Sequence, residues 1–178
     1  ADVRESDWFY NDVVYVYQNG IIRGVSDTDF APQATTTRGM IVTMLWRLEG
    51  EPAATAAAGF SDVKSGAYYE AAVNWANENG VVSGMGEGRF APDTAITREQ
   101  LAAMLSRYSE YKGMDVSERA DLSAYSDASS VSSYAQEVAE WAVAKGLISG
   151  VTETTLAPQG QATRAQVAAI MTPYSAMK

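Results

Sequence analysis

The amino-acid sequence predicts an all-α fold: three helix-loop-helix units, related by pseudo-threefold repetition and sharing one central helical bundle. Three observations predict it. A Gly-x-x-x-Gly segment occurs three times, at 20–24, 80–84 and 146–150. A Thr-Arg pair follows each at one fixed offset, placing Arg38, Arg98 and Arg164 at equivalent positions. After each pair runs a stretch whose apolar residues recur with helical period.

The landmarks between these features agree as well. Phe30, Phe90 and Leu156 are equivalent, and an Ala-Pro pair follows each, ending at Pro32, Pro92 and Pro158. The extra length of the last repeat falls in the connection around 109–126. Units are therefore expected at 1–55, 56–117 and 118–178. The connection 50–59 is rich in small residues and reads as a linker whose alanines can add a helical turn.

Within each unit the stretch before the first glycine has helical period, with Val13/Val16, Val73/Ala76 and Ala139/Ala142 on one face. Tyr15, Trp75 and Trp141 fall on that face and read as core. Gly20, Gly80 and Gly146 suit the left-handed residue that closes a helix C-terminus, where a Cβ is strained. The second helix begins at the Thr-Arg pair. Its apolar face comprises Ile41, Val42, Met44, Leu45 and Leu48 in the first copy, with equivalents through Tyr108 in the second and Tyr174 in the third. Thr97 with Gln100, and Thr163 with Gln166, fit the capping box, whereas Thr37 faces Met40 and lacks the reciprocal partner. A unit of this size is marginal alone, so three are expected to share a core, and their parity favours a closed arrangement over an open solenoid.

Composition narrows the functions. Hydrophobic residues make up 47% and charged residues 20%, as in globular chains. Cysteine and histidine are both absent, which removes disulfides, thiolate zinc sites and Ser-His-Asp chemistry. A formal net charge of −9, with no basic cluster to offset it, argues against nucleic acid as a partner. No apolar run is long enough to insert in a membrane. No basic segment followed by an apolar stretch opens the chain, so a secretion signal is expected to be removed or to lie outside this sequence. The loop acids at Asp27, Asp29 and Glu87 miss EF-hand spacing; no metal or cofactor is implied. No nucleophile-base pair or fixed carboxylate pair is visible, so the chain does not read as an enzyme.

The binding candidates are the repeated residues. Helix N-termini favour acidic side chains, so Arg38, Arg98 and Arg164 stand at an electrostatically unfavourable end. Two roles are open to them: receiving an anion together with free backbone N–H groups of the helix start, or forming an ion pair inside the fold. A planar guanidinium suits a carboxylate. Gly24, Gly84 and Gly150 either let backbone approach a ligand or serve as left-handed residues of a tight connection. Trp8, Tyr68 and Tyr134, at the head of each first helix, are half-covered rings that either stack on sugar or edge the core. Asp2, Asp62 and Asp127 read as caps or turn formers.

Taken together, Asp-Val/Ala, an aromatic, a short helix, Gly-x-x-x-Gly, Phe-x-Pro and Thr-Arg resemble the surface-layer homology (SLH) domain, of which three in tandem are usual. Gly84, Phe90, Pro92, Ile96, Thr97, Arg98 and Glu99 match its pattern closely. The resemblance implies a three-pronged spindle and a non-covalent anchor of a larger secreted protein at the Gram-positive cell wall, outside the cell. Its implied partner is a secondary cell-wall polysaccharide whose terminal sugar carries a pyruvate ketal, held in grooves between units. On that resemblance Arg38, Arg98 and Arg164 contact the carboxylate or sugar, Gly24, Gly84 and Gly150 line the grooves, and Trp8, Tyr68 and Tyr134 flank the sugar. The family's acidic residue after Thr-Arg-x is replaced by Met40, Gln100 and Gln166, and Gly39 weakens one helix start, so unequal grooves are expected. The competing reading is a protein–protein assembly module of a surface layer without glycan binding. On it the arginines serve internally, and Arg98→Ala lowers stability while sparing wall binding.

Overall fold

In the computed structural model, which describes residues 2–177, the helices are α1 (Tyr10–Gln18), α2 (Arg38–Leu48), α3 (Glu70–Glu78), α4 (Arg98–Tyr111), α5 (Gln136–Ala144) and α6 (Arg164–Ala176). Among the described residues extended backbone pairs only as isolated bridges, so the fold is all-α. The connection at 51–60 adds no helical turn. It is pinned instead along α3, with Ala58 N–H donating to Asn74 Oδ1 at 2.9 Å and Thr55 bonded to Glu78.

Local chemistry places the helix ends. Gly20, Gly80 and Gly146 take φ of 69, 71 and 66°. The N–H of the residue after each returns to the helix, as Ile21 does to Val16 C=O at 2.9 Å. That bond spares an orphan carbonyl and drives the next two apolar residues inward. Ile21/Ile22, Val81/Val82 and Leu147/Ile148 are all buried. Thr37, Thr97 and Thr163 accept from the backbone three residues on, with full capping boxes only at Thr97 and Thr163.

The helices do not pair within their own units. Helix α2 packs on α3, α4 on α5, and α6 on α1. Each second helix thus covers the first helix of the next unit, and the last unit returns to the first. The reason is visible in the apolar faces: a first helix of nine residues buries little, while the longer second helix has apolar residues enough for the centre and for a neighbour. One cluster of buried side chains runs through all three units. In the second helices the whole apolar face is buried save Leu48, which is partly covered. Trp75 and Trp141 are core; Tyr15 is half-buried, its hydroxyl accepting from Ser175 Oγ at 3.1 Å.

A closed cycle of main-chain bonds joins the units. Thr36 N–H donates to Ala162 C=O (2.9 Å), Ala162 N–H to Ile96 C=O (3.3 Å), and Ile96 N–H to Thr36 C=O (2.8 Å). These residues stand at equivalent places, two before the arginines. Ile96 and Ala162 are apolar and suit the dry centre, whereas the fully buried Thr36 carries an Oγ1 with no hydrogen-bond partner among the described residues. Thr36→Val keeps the shape and removes that desolvated hydroxyl. It is expected to stabilise the protein by about 1 kcal/mol, read as a higher urea midpoint at unchanged slope.

Candidate functional site

The three arginines are the first surprise. Arg38, Arg98 and Arg164 are 4, 7 and 4% exposed. Each reaches into the next unit and donates to two main-chain carbonyls there. Arg38 Nε bonds Phe90 C=O at 2.9 Å and its Nη2 bonds Ser83 C=O at 3.2 Å. Arg98 uses Leu156 and Ser149 in the same way, and Arg164 uses Phe30 and Arg23. Arg38 and Arg164 also lie over the rings of Phe90 and Phe30, at 4.7 and 4.6 Å, a cation–π contact that Leu156 denies to Arg98. Among the described residues no carboxylate lies within ion-pair distance of any of the three. The arginine is therefore a tie between units through neutral carbonyls, not half of an internal ion pair. Burial pushes each guanidinium pKa below its ordinary value, yet arginine remains a cation.

The helix starts are also occupied. Arg38, Arg98 and Arg164 N–H groups donate to Thr94, Gly160 and Ala34 C=O, and the next N–H of each helix donates to Pro92, Pro158 or Pro32 C=O. The third N–H goes to the capping threonine. Among the described residues no N–H of these first turns is free to receive an anion, which removes that part of the anion-receiving role, so any anion must be met by the guanidinium itself. A stability loss on Arg98→Ala follows on either functional reading, and that substitution does not separate them.

The second glycines serve by space, not by handedness. Gly24, Gly84 and Gly150 keep ordinary φ, but a Cβ on each would strike main-chain oxygen: Asp29 O at 2.9 Å from Gly24, Arg89 O at 2.9 Å from Gly84, Thr152 O from Gly150. Left-handed backbone falls instead on Ala31, Ala91 and Ala157, at φ of 56, 60 and 52°, each just before a buried proline. Such a conformation is costly for alanine. The aspartates hold it. Asp62 Oδ1 and Oδ2 accept from Phe90 and Ala91 N–H, both at 2.8 Å; Asp127 does the same for Leu156 and Ala157, and Asp2 for Phe30 and Ala31. They are thus clamps on a loop about 30 residues away, not caps of the first helices, which have no side-chain cap. The Phe30 and Leu156 N–H groups hold the carboxyls of Asp2 and Asp127 below their ordinary pKa. At Asp62 desolvation pulls upward, but the two N–H groups and Arg89 outweigh it.

Residues far apart in the chain come together at the unit junctions. Arg38 of the first unit, Gly84 of the second and Tyr134 of the third line one cavity of about 550 Å³, floored by Gln100, Ala103 and Met104 of α4. Arg98, Gly150 and Trp8 line a second, of about 330 Å³, with Gln166 and Ile170 of α6. Arg164, Gly24 and Tyr68 are the equivalent residues at the third junction, with Tyr68 in the neighbourhood of Arg164 and Arg47. Here Arg23, Met40 and Thr43 replace the smaller or more polar Ser83, Gln100 and Ala103, and Gly24 lines a separate hollow of about 280 Å³ beside Tyr10 and Tyr17. Trp8, Tyr68 and Tyr134 are more exposed than half-covered rings, at 67, 56 and 55%; the residues after the first two, Phe9 and Tyr69, take the buried role.

Glu99 was not singled out by spacing, because its equivalents are Gly39 and Ala165. It is buried and accepts from Ser132 N–H at 3.0 Å, Ser132 Oγ at 2.7 Å and the Tyr134 hydroxyl at 3.2 Å. Burial of the hydroxyl end, with the Glu99 charge beside it, pushes the Tyr134 pKa up to about 12. The phenol is thereby fixed as a donor to Glu99 while its ring face stays open to solvent.

The cyclic unit packing, the Thr-Arg helix starts and the interunit cavities define a triplet of tandem repeats. The chain belongs to the S-layer homology domain family, which it matches over residues 1–39, 59–102 and 124–168. It is similar to an endoglucanase of Bacillus sp. (35% identity, 96% of this chain, 18% of the relative) and to the surface-layer 125 kDa protein of Lysinibacillus sphaericus (34%, 85% and 13%). A cellulosome-anchoring protein of Acetivibrio thermocellus is 26% identical over 84% of this chain and 34% of its own length. The chain thus spans about a third or less of these relatives. Its family places it at the cell surface.

Proposed function

We propose that this chain is a non-covalent anchor that holds a larger secreted protein at the Gram-positive cell wall, by binding a secondary cell-wall polysaccharide through the carboxylate of a pyruvate ketal. One observation carries the reading: in an interunit cavity of about 550 Å³ a buried guanidinium, bonded to neutral carbonyls, stands with an open tyrosine ring. A desolvated cation without an acid partner gains from a ligand anion. The ring of Tyr134, like that of Trp8 in the second groove, offers an apolar face to a sugar. A shared region in proteins named as an endoglucanase, a surface-layer protein and a cellulosome-anchoring protein supports attachment over catalysis.

The test is co-sedimentation with sacculi. The protein is expected to pellet with sacculi bearing the pyruvylated polymer and to stay in solution with stripped ones; equal pelleting would leave only the assembly reading. Because arginine variants also loosen the fold, the groove is probed at exposed Tyr134. Tyr134→Ala should weaken sedimentation, whereas Tyr134→Phe, which keeps the ring and loses only the hydroxyl that donates to Glu99, should retain it.

A further inference from the structure

The three junctions carry different second cations. Nine residues after the Thr-Arg arginine stand Arg47, Arg107 and Pro173. Arg47 is drawn toward Glu51, 3.9 Å away, which also approaches Arg23. Pro173 offers no donor. Arg107 alone turns into a groove: it lines the cavity of about 550 Å³ with Arg38, and its Nη1 donates to Ser83 Oγ at 3.0 Å. Ser83 C=O is also the acceptor for Arg38 Nη2. One serine therefore gathers two guanidiniums, from two units, at the wall of one cavity. Among the described residues neither has a carboxylate within ion-pair distance. Glu99 lines the same cavity, but both of its oxygens are engaged by Ser132 and Tyr134. The cavity keeps an excess of positive charge within a chain of net charge −9.

We propose that Arg107 is a second, specificity-determining contact for the ligand carboxylate in the Arg38–Tyr134 groove, making that groove the principal site of the three. This rests on the reading of the chain as a binder of a carboxylate-bearing glycan. Arg38, anchored by two carbonyls, sets the depth of the anion, and Arg107, held by one hydroxyl, closes on it from the rim. Two charge-assisted donors from different units also make affinity sensitive to how the units are joined.

The experiment is calorimetric titration of the whole chain with a methyl glycoside carrying a pyruvate ketal, and with the same sugar lacking pyruvate. Arg107→Ala should weaken binding of the pyruvylated sugar by about tenfold or more, the effect of losing one charge-assisted contact. Arg107→Lys should recover part of it. The thermal midpoint should stay near that of the unaltered chain. Unchanged affinity in Arg107→Ala, with the parent chain binding, overturns the role of Arg107 and leaves the anchor reading standing. Equal losses for both sugars also overturn it, since the contact would then not be to the carboxylate. If the parent chain binds neither sugar, both proposals fall.

Discussion

Arg38→Lys is expected to lower the thermal midpoint by about 5–10 °C although it preserves the charge. Lysine has one donor group at the end of a flexible stem and cannot serve Phe90 C=O and Ser83 C=O with the fixed fork that Nε and Nη2 provide. It also gives up the flat stack over Phe90. The lost hydrogen bonds from a charged donor and the stranded carbonyl together cost about 2–3 kcal/mol, and in a chain of this size each kcal/mol moves the midpoint by about 2–4 °C. Differential scanning calorimetry checks this. A variant as stable as the parent would mean that charge alone joins the units. Arg98→Lys should lose less, because Arg98 has leucine where the other two have a ring.

Asp62→Asn is expected to cost about 2–3 kcal/mol at neutral pH. The amide can accept one N–H but turns its own NH₂ toward the other, leaving Ala91 at its strained φ of 60° without its partner. The pH dependence gives an independent check. The folded carboxyl has a lowered pKa, so the native state prefers the ionised form more strongly than the unfolded chain does. Its contribution is complete above the unfolded aspartate pKa and is lost as pH falls through the lowered folded value. The parent chain should therefore lose stability on acidification in that window, and Asp62→Asn should flatten this acid limb in urea titrations. Parallel acid limbs in both proteins would show that the clamp is not coupled to ionisation. Asp2 and Asp127, also with lowered pKa, act in the same direction.

Much of the site was legible because it repeats. A Thr-Arg pair occurring three times at one offset marks a helix start whatever its surroundings, since a hydroxyl bonding the N–H three residues on is a local event. Gly20, Gly80 and Gly146 were legible for the same reason. The second glycines were not: the oxygen that excludes a Cβ belongs to a turn whose shape the local sequence does not state. Asp62 reads from sequence as a local cap or turn former, because its actual partners lie 28 and 29 residues on. Glu99 was legible only through the family resemblance, since its equivalents are Gly39 and Ala165, and Arg107 escaped notice because its equivalents are Arg47 and Pro173. Superposing the copies reveals what they share, and it hides what makes one groove unlike the others.

The sequence by itself determined the all-α class, the number of units, the apolar face of each second helix and the family. All are written in short-range periodicity and capping, which need no partner to be recognised. The tertiary structure decided which helix covers which, and with it the role of the arginines. A second helix has a wide apolar face but no preference, readable along the chain, between its own first helix and that of the next unit. Only the closed packing, with α6 returning to α1, brings the carbonyls of one unit to the guanidinium of another and assembles the Arg38 and Arg98 grooves each from three separate stretches of chain.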